Sequence, residues 1–222
     1  MMPSSSPSGA EGRDTTEALA RVAAALACDD ESGWRRELDA ARRAATDTQV
    51  EEVLLQSHLF VGFPVVLNAL IVWRQLAGER EHAERADPPV DLDLDERARA
   101  GRRLCERVYG GAYGRLRENV RALSPTLDRW MIEDGYGKTL SRPALDAVTR
   151  ELCIVAQLTA GGHPRQLRSH LFGALNVGAS PEEVGRAVEI GSAALDRGRR
   201  ADGVDPDVAR DMWRDIRRGL DT

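Results

Sequence analysis

Residues 151–183 read ELCIVAQLTAGGHPRQLRSHLFGALNVGASPEE. From Glu151 to Ala160 nearly every position is apolar or small, which predicts a helix buried on most sides. Gly161-Gly162 stops it, and Pro164 suits the first turn of a second helix, where its missing N–H costs nothing. Leu167, His170, Leu171, Ala174 and Leu175 recur at helical spacing, so they share one inward face that contains an imidazole. Gly178 suits the position just past a helix end, and Ser180-Pro181-Glu182-Glu183 is a capping box that opens a third helix. One carboxylate, Glu151, and one imidazole, His170, therefore face the inside of a helical hairpin.

Working outward, the chain has 222 residues, 42% of them hydrophobic. That is enough for one sizeable core, or for two small lobes sharing one. Alanine, leucine, arginine and glutamate are abundant and aromatics few, which favours helix over strand. The fold class expected is all-α. Net charge is −5 and acids alternate with arginines, so the electrostatic footprint of a nucleic-acid binder is missing.

Cys28, Cys105 and Cys153 are odd in number, far apart and not in a CxxC, which predicts neither a disulfide framework nor a zinc site. Residues 1–14 read as a disordered tail with no apolar core of a signal peptide. The longest apolar stretch, Leu59 to Trp73, is interrupted by Gly62, Pro64 and Asn68, and is too short to span a bilayer. The expectation is a cytoplasmic protein that binds neither membrane nor nucleic acid.

Residues 15–78 read as an N-terminal helical lobe, with helices over 16–26, from about 30 to 45 (capped by Asp30 or Ser32), from 47 to 61 (capped by Asp47 or Thr48) and from 65 to 76. Residues 79–96 are charged, contain Pro88-Pro89 and read as a linker. Residues 97–222 form the C-terminal lobe, in which Gly135-Tyr136-Gly137 reads as a turn. A faint repeat relates the lobes. A shift of 134 residues lays Glu17 on Glu151, Thr46 on Ser180 and Arg36 on His170, so the first copy lacks the imidazole and would serve as scaffold.

Three segments carry a family resemblance: VEEVLLQSHLFVGFPVVLNAL, EDGYGKTLSRPALDAVTREL and the hairpin text above. They resemble the carboxymuconolactone decarboxylase superfamily, which also contains the alkylhydroperoxidase AhpD. The resemblance implies an AhpD-like helical bundle of two similar lobes. It also implies a homo-oligomer, trimer or larger with dimer as the fallback, and a reaction that needs no metal or organic cofactor. The implied activity is a cofactor-free lyase or isomerase reaction on a small acidic lactone or enol. The specific candidate is decarboxylation of a carboxylated muconolactone, within the catabolism of aromatic compounds.

In the peroxidase branch a glutamate precedes a CxxC and a histidine follows it. Glu151 and His170 keep that spacing, while the cysteine positions hold His163 and Gln166. A thiol peroxidase requires both sulfurs, so the branch without CxxC is the closer match. A peroxidase built on Cys153 or Cys105, and a non-catalytic oligomer that binds a small acid, are the other readings.

Most of the candidate residues carry two readings. His170 is a general acid, with Glu151 orienting or reloading it, or the two form a buried pair that fixes helix register. His163 and Gln166 bind substrate, or His163 only closes the helix break. His58 faces the same cavity from the other lobe or a partner subunit, or is scaffold. Tyr136 donates to a substrate carbonyl. Arg142 and Arg168 hold a substrate carboxylate, or are solvated like most arginines in so charged a chain.

Overall fold

The buried arm read from the sequence is α7, Ala147–Ala160, and the molecule is assembled around it. Every residue of α7 from Thr149 to Ala160 is buried, because helices pack on it from several sides. The computed structural model describes residues 9–77, 93–197 and 205–220. All regular elements among the described residues are helical.

In chain order they are α1 (Gly9–Cys28), α2 (Glu31–Ala41), α3 (Asp47–Ala77), α4 (Leu94–Tyr109), α5 (Tyr113–Leu123), α6 (Pro125–Trp130), α7, α8 (Pro164–Val177), α9 (Pro181–Arg197) and α10 (Pro206–Leu220). A 3-10 turn joins α4 to α5, and a π-helical segment, Met131–Leu140, continues α6. α1 lies against α7 and α9, so the two expected lobes share one continuous core of Leu19, Val22, Leu54, Ile154 and Leu171 among others.

The helix starts follow the local chemistry. Asp30 caps α2 by accepting from Ser32 N and Gly33 N. Asp93, Ser124 and Asp146 cap α4, α6 and α7 in the same way. The α9 box closes as written: Glu183 N donates to Ser180 Oγ at 3.3 Å, and Ser180 N donates to Glu183 Oε2 at 2.8 Å. Those contacts hold the Glu183 carboxyl below its ordinary pKa, the backbone bond being the main cause.

The cap of α3 is a correction. Neither Asp47 nor Thr48 fills it. Thr46 does, in a second box: Gln49 N donates to Thr46 Oγ1 at 3.3 Å, and Thr46 N donates to Gln49 Oε1 at 2.9 Å. The 134-residue shift lays this box on Ser180–Glu183, and lays α1, α2 and the start of α3 on α7, α8 and α9. The order of helices and this cap therefore recur at the same spacing.

Three other boundaries differ from expectation. The tail expected over 1–14 ends sooner, since α1 starts at Gly9; Thr15, inside that helix, donates through Oγ1 to Ala44 O at 2.5 Å, tying its first turns to the α2–α3 connection. The linker expected over 79–96 ends by Asp93, where the cap starts α4; most of it lies outside the described residues. Gly135-Tyr136-Gly137 is not a turn but part of the π-helical segment. Tertiary packing overrides glycine's turn preference there: a Cβ at Gly137 would lie 2.3 Å from Arg97 O, and one at Gly101 2.0 Å from Ile132 O. Only glycines let α4 and this segment touch backbone to backbone.

α3 bends sharply at Gly62 (φ 79°, ψ 165°), so the break expected at Gly62-Phe63-Pro64 divides two helical arms. By overall length and composition α3 could cross a membrane. Its first arm is nevertheless committed to the core through Val50, Val53 and Leu54. Each arm is about 22 Å long at 1.5 Å per residue, short of the roughly 30 Å of a bilayer core.

Candidate active site

Glu151 and His170 stand opposite each other on α7 and α8. His170 Nδ1 lies 2.8 Å from Glu151 Oε2, and the two residues are 6% and 2% exposed. Gly173, one turn beyond His170, makes the room: a Cβ there would meet Glu151 Oε2 at 2.8 Å and Val108 Cγ1 at 2.7 Å. With Nδ1 held by the carboxylate, Nε2 is the ring nitrogen left for a substrate. A carboxylate that fixes one imidazole nitrogen in this way orients the other and stabilises the imidazolium.

The surroundings are aromatic. Phe60 and Tyr109 both stand edge-on to the His170 ring, at centroid distances of 6.1 and 6.2 Å. Tyr136 packs against Tyr109 at a centroid distance of 6.3 Å. Burial pushes Tyr109 up to about 12 and Tyr136 well above its ordinary value, so both hydroxyls keep their protons at ordinary pH. Tyr109 and Phe60 were not found from the sequence; nothing in their local text separates them from other helix aromatics.

The remaining candidates lie elsewhere. His58 turns back on its own helix, with Nδ1 2.5 Å from Leu55 O and its ring 5.0 Å from Phe63. Arg168 is exposed and lies over Phe172. Gln166 is exposed on the first turn of α8. Arg142 donates through Nε to Glu52 Oε1 at 2.7 Å. Arg150 donates to Glu52 Oε2 at 2.8 Å, Gln56 Oε1 at 3.0 Å and Arg142 O at 2.9 Å. This buried network ties α3 to α7 one residue before Glu151. His163 is exposed at the α7–α8 turn, where it borders two grooves of about 420 and 530 Å³. The larger groove also has Phe60 in its wall, so Phe60 borders both that groove and the His170 ring.

Residues 125–202, which span the π-helical segment and the whole α7–α8–α9 unit, match the carboxymuconolactone decarboxylase family. This region is a carboxymuconolactone decarboxylase family domain. Over 151 residues the chain is also 32% identical to Peroxisomal protein 2 of Schizosaccharomyces pombe, across 64% of this chain and 66% of that protein. The chain thus spans just under two thirds of that relative's length.

The family domain holds Glu151, His163, Gln166 and His170, while Phe60 and Tyr109 reach its site from outside it. Its one cysteine, Cys153, is fully buried, and burial pushes its thiol up to about 12. Cys105 on α4 is equally buried, with its thiol also pushed up to about 12 by burial. A thiol held that far above neutral pH is a poor nucleophile, which weighs against peroxide chemistry at either sulfur.

Proposed function

We propose that the chain is a cofactor-free lyase, or an isomerase of related chemistry, that acts on a small lactone or enol acid as a carboxymuconolactone decarboxylase does. The buried Glu151–His170 pair among aromatic walls carries this reading. In decarboxylation the bond from the carboxyl carbon to the ring breaks, and its electron pair passes into the conjugated carbonyl. Carbon dioxide leaves, and a dienolate remains. His170 donates the Nε2 proton to carbon, Glu151 holds the imidazolium, and water later restores the proton. Apolar walls favour loss of a carboxylate, because its charge is concentrated before the reaction and dispersed as the bond breaks.

The test is carbon dioxide release from carboxymuconolactone, followed with the wild-type chain and with His170→Gln. Release by the first and not by the second supports the reading. Turnover of a hydroperoxide that disappears on thiol alkylation, with no release from the lactone, would replace it with a peroxidase.

Self-association belongs to the same proposal. Phe63, Leu67 and Ile71 are 66%, 56% and 57% exposed, at four-residue spacing along the second arm of α3. A helical stripe this apolar is what oligomer interfaces bury, and it supports a homo-oligomer. That stripe would equally serve a non-catalytic oligomer that binds a small acid, which the lactone assay separates from an enzyme.

A further inference from the structure

Gln157 sits in the last turn of α7 with 1% of its surface exposed, and neither its Nε2 nor its Oε1 has a hydrogen-bond partner. Its main chain is satisfied, since Gln157 O accepts from Gly161 N at 2.9 Å. A buried carboxamide with both ends unpaired is unfavourable, and native folds keep few of them. Gln157 lines the groove of about 530 Å³ between α1, the Gly62 bend and the α7–α8 turn. Phe60, Val61 and Val65 of α3 and Leu26 of α1 give that groove apolar walls. His163 is its second polar side chain, and none of its lining residues is lysine, arginine, aspartate or glutamate.

We propose that this groove binds a small, mostly apolar, uncharged molecule whose head sets a hydrogen-bond donor beside an acceptor, as a carboxamide or an undissociated carboxylic acid does. Such a head satisfies both ends of Gln157 at once: Oε1 accepts from its N–H or O–H, and Nε2 donates to its carbonyl. A carboxylate would satisfy Nε2 but set negative charge against Oε1, and an ammonium would do the reverse. Either charge would be buried without a counter-charge. His163, at the start of α8 with no capping bond of its own, borders the same space. The inference goes beyond the proposed reaction, because neither Glu151 nor His170 lines the groove.

Benzamide is the probe, with benzoate and benzylamine as charged counterparts near neutral pH, read by ¹⁵N NMR of the full chain. Benzamide should shift the Gln157 side-chain NH₂ signals and bind about tenfold or more tightly than either ion. Gln157→Leu, apolar and of similar size, should lose about tenfold or more in benzamide affinity and melt higher, because it no longer strands an amide. His170→Gln should bind benzamide as the wild type does, so failure here is distinct from failure of the proposed reaction. Equal binding of benzoate or benzylamine overturns the neutral-head assignment. A Gln157→Leu variant that keeps its benzamide affinity, or melts lower, overturns the role of Gln157. Break-up of an oligomer by that variant, with no benzamide binding to the wild type, makes a second copy the occupant and overturns the small-molecule site. Gln157→Met repeats the comparison should the leucine variant not fold.

Discussion

The Glu151 carboxylate fits where it does because position 173 has no side chain: Gly173 on α8 leaves the space in which Glu151 Oε2 meets His170. Two helices approach closely enough to bury an ion-pairing contact only because one of them carries a glycine at the crossing. Gly173→Ala should therefore push Glu151 off His170, at a cost of about 1–3 kcal/mol for the overpacking. Urea unfolding reads the stability, and the His170 ring signals in NMR read the lost contact. A variant with wild-type stability and unchanged ring signals would show that the site relaxes freely.

His170→Gln keeps polarity and rough size but removes the transferable proton. Turnover of the true substrate should fall by about 10²–10⁴-fold while the helical circular-dichroism spectrum is retained. Cys153→Ala should leave the rate nearly untouched, since its buried thiol is pushed up to about 12. The opposite pattern, an active histidine variant and a dead cysteine variant, points to thiol chemistry.

Glu52 is the acidic partner that Arg150 and Arg142 share, beneath the site. Glu52→Gln leaves the buried Arg150 without its counter-charge, an effect on the order of 3–5 kcal/mol. Because Arg150 immediately precedes Glu151, activity should fall along with stability. Chemical denaturation with a parallel assay measures both, and a loss below about 1 kcal/mol would mean that the network is unimportant.

The pH dependence follows from the buried thiols and phenols. Cys28, Cys105 and Cys153 rise from an ordinary 9.0 to about 12, and Tyr109 from 10.0 to about 12, all chiefly through burial. A folded-state value above the unfolded one means that the folded chain holds its proton longer. That stability is complete below about pH 9 and is lost as pH rises towards 12. Denaturant midpoints should fall steadily from about pH 9 upward. In native protein the thiols of Cys105 and Cys153 should resist alkylation at pH 8 and react on unfolding.

Phe63→Ser, Leu67→Ser and Ile71→Ser together remove the exposed stripe of α3 without touching the core. Light scattering should find the wild type at a multiple of 24.3 kDa and the triple variant near 24.3 kDa. A wild type that already runs at the single-chain mass refutes the oligomer.

Much of the helical plan was legible in the text because helix ends are set by neighbours in sequence. The box at Ser180–Glu183, the stop at Gly178 and the bend at Gly62 each depend on a few adjacent residues. The Glu151–His170 contact was legible for a related reason: a two-glycine break between two helices leaves little choice in how their inner faces meet. The cap at Thr46 was missed because Asp47 and Thr48 offer the same oxygen chemistry one and two residues later, and only backbone geometry selects among them.

The sequence by itself thus determined an all-helical chain with a carboxylate–imidazole hairpin at its centre, through short-range terms that act over one or two turns. Tertiary structure decided what surrounds that hairpin. It brought Glu52 to Arg150 across 98 residues, set Phe60 and Tyr109 against His170, turned Gly135-Tyr136-Gly137 into π-helix and left the Gln157 amide unpaired beside a groove. Those outcomes depend on which helix faces cross and how closely. Many small packing terms from distant segments set that crossing, and no local stretch of residues encodes their sum.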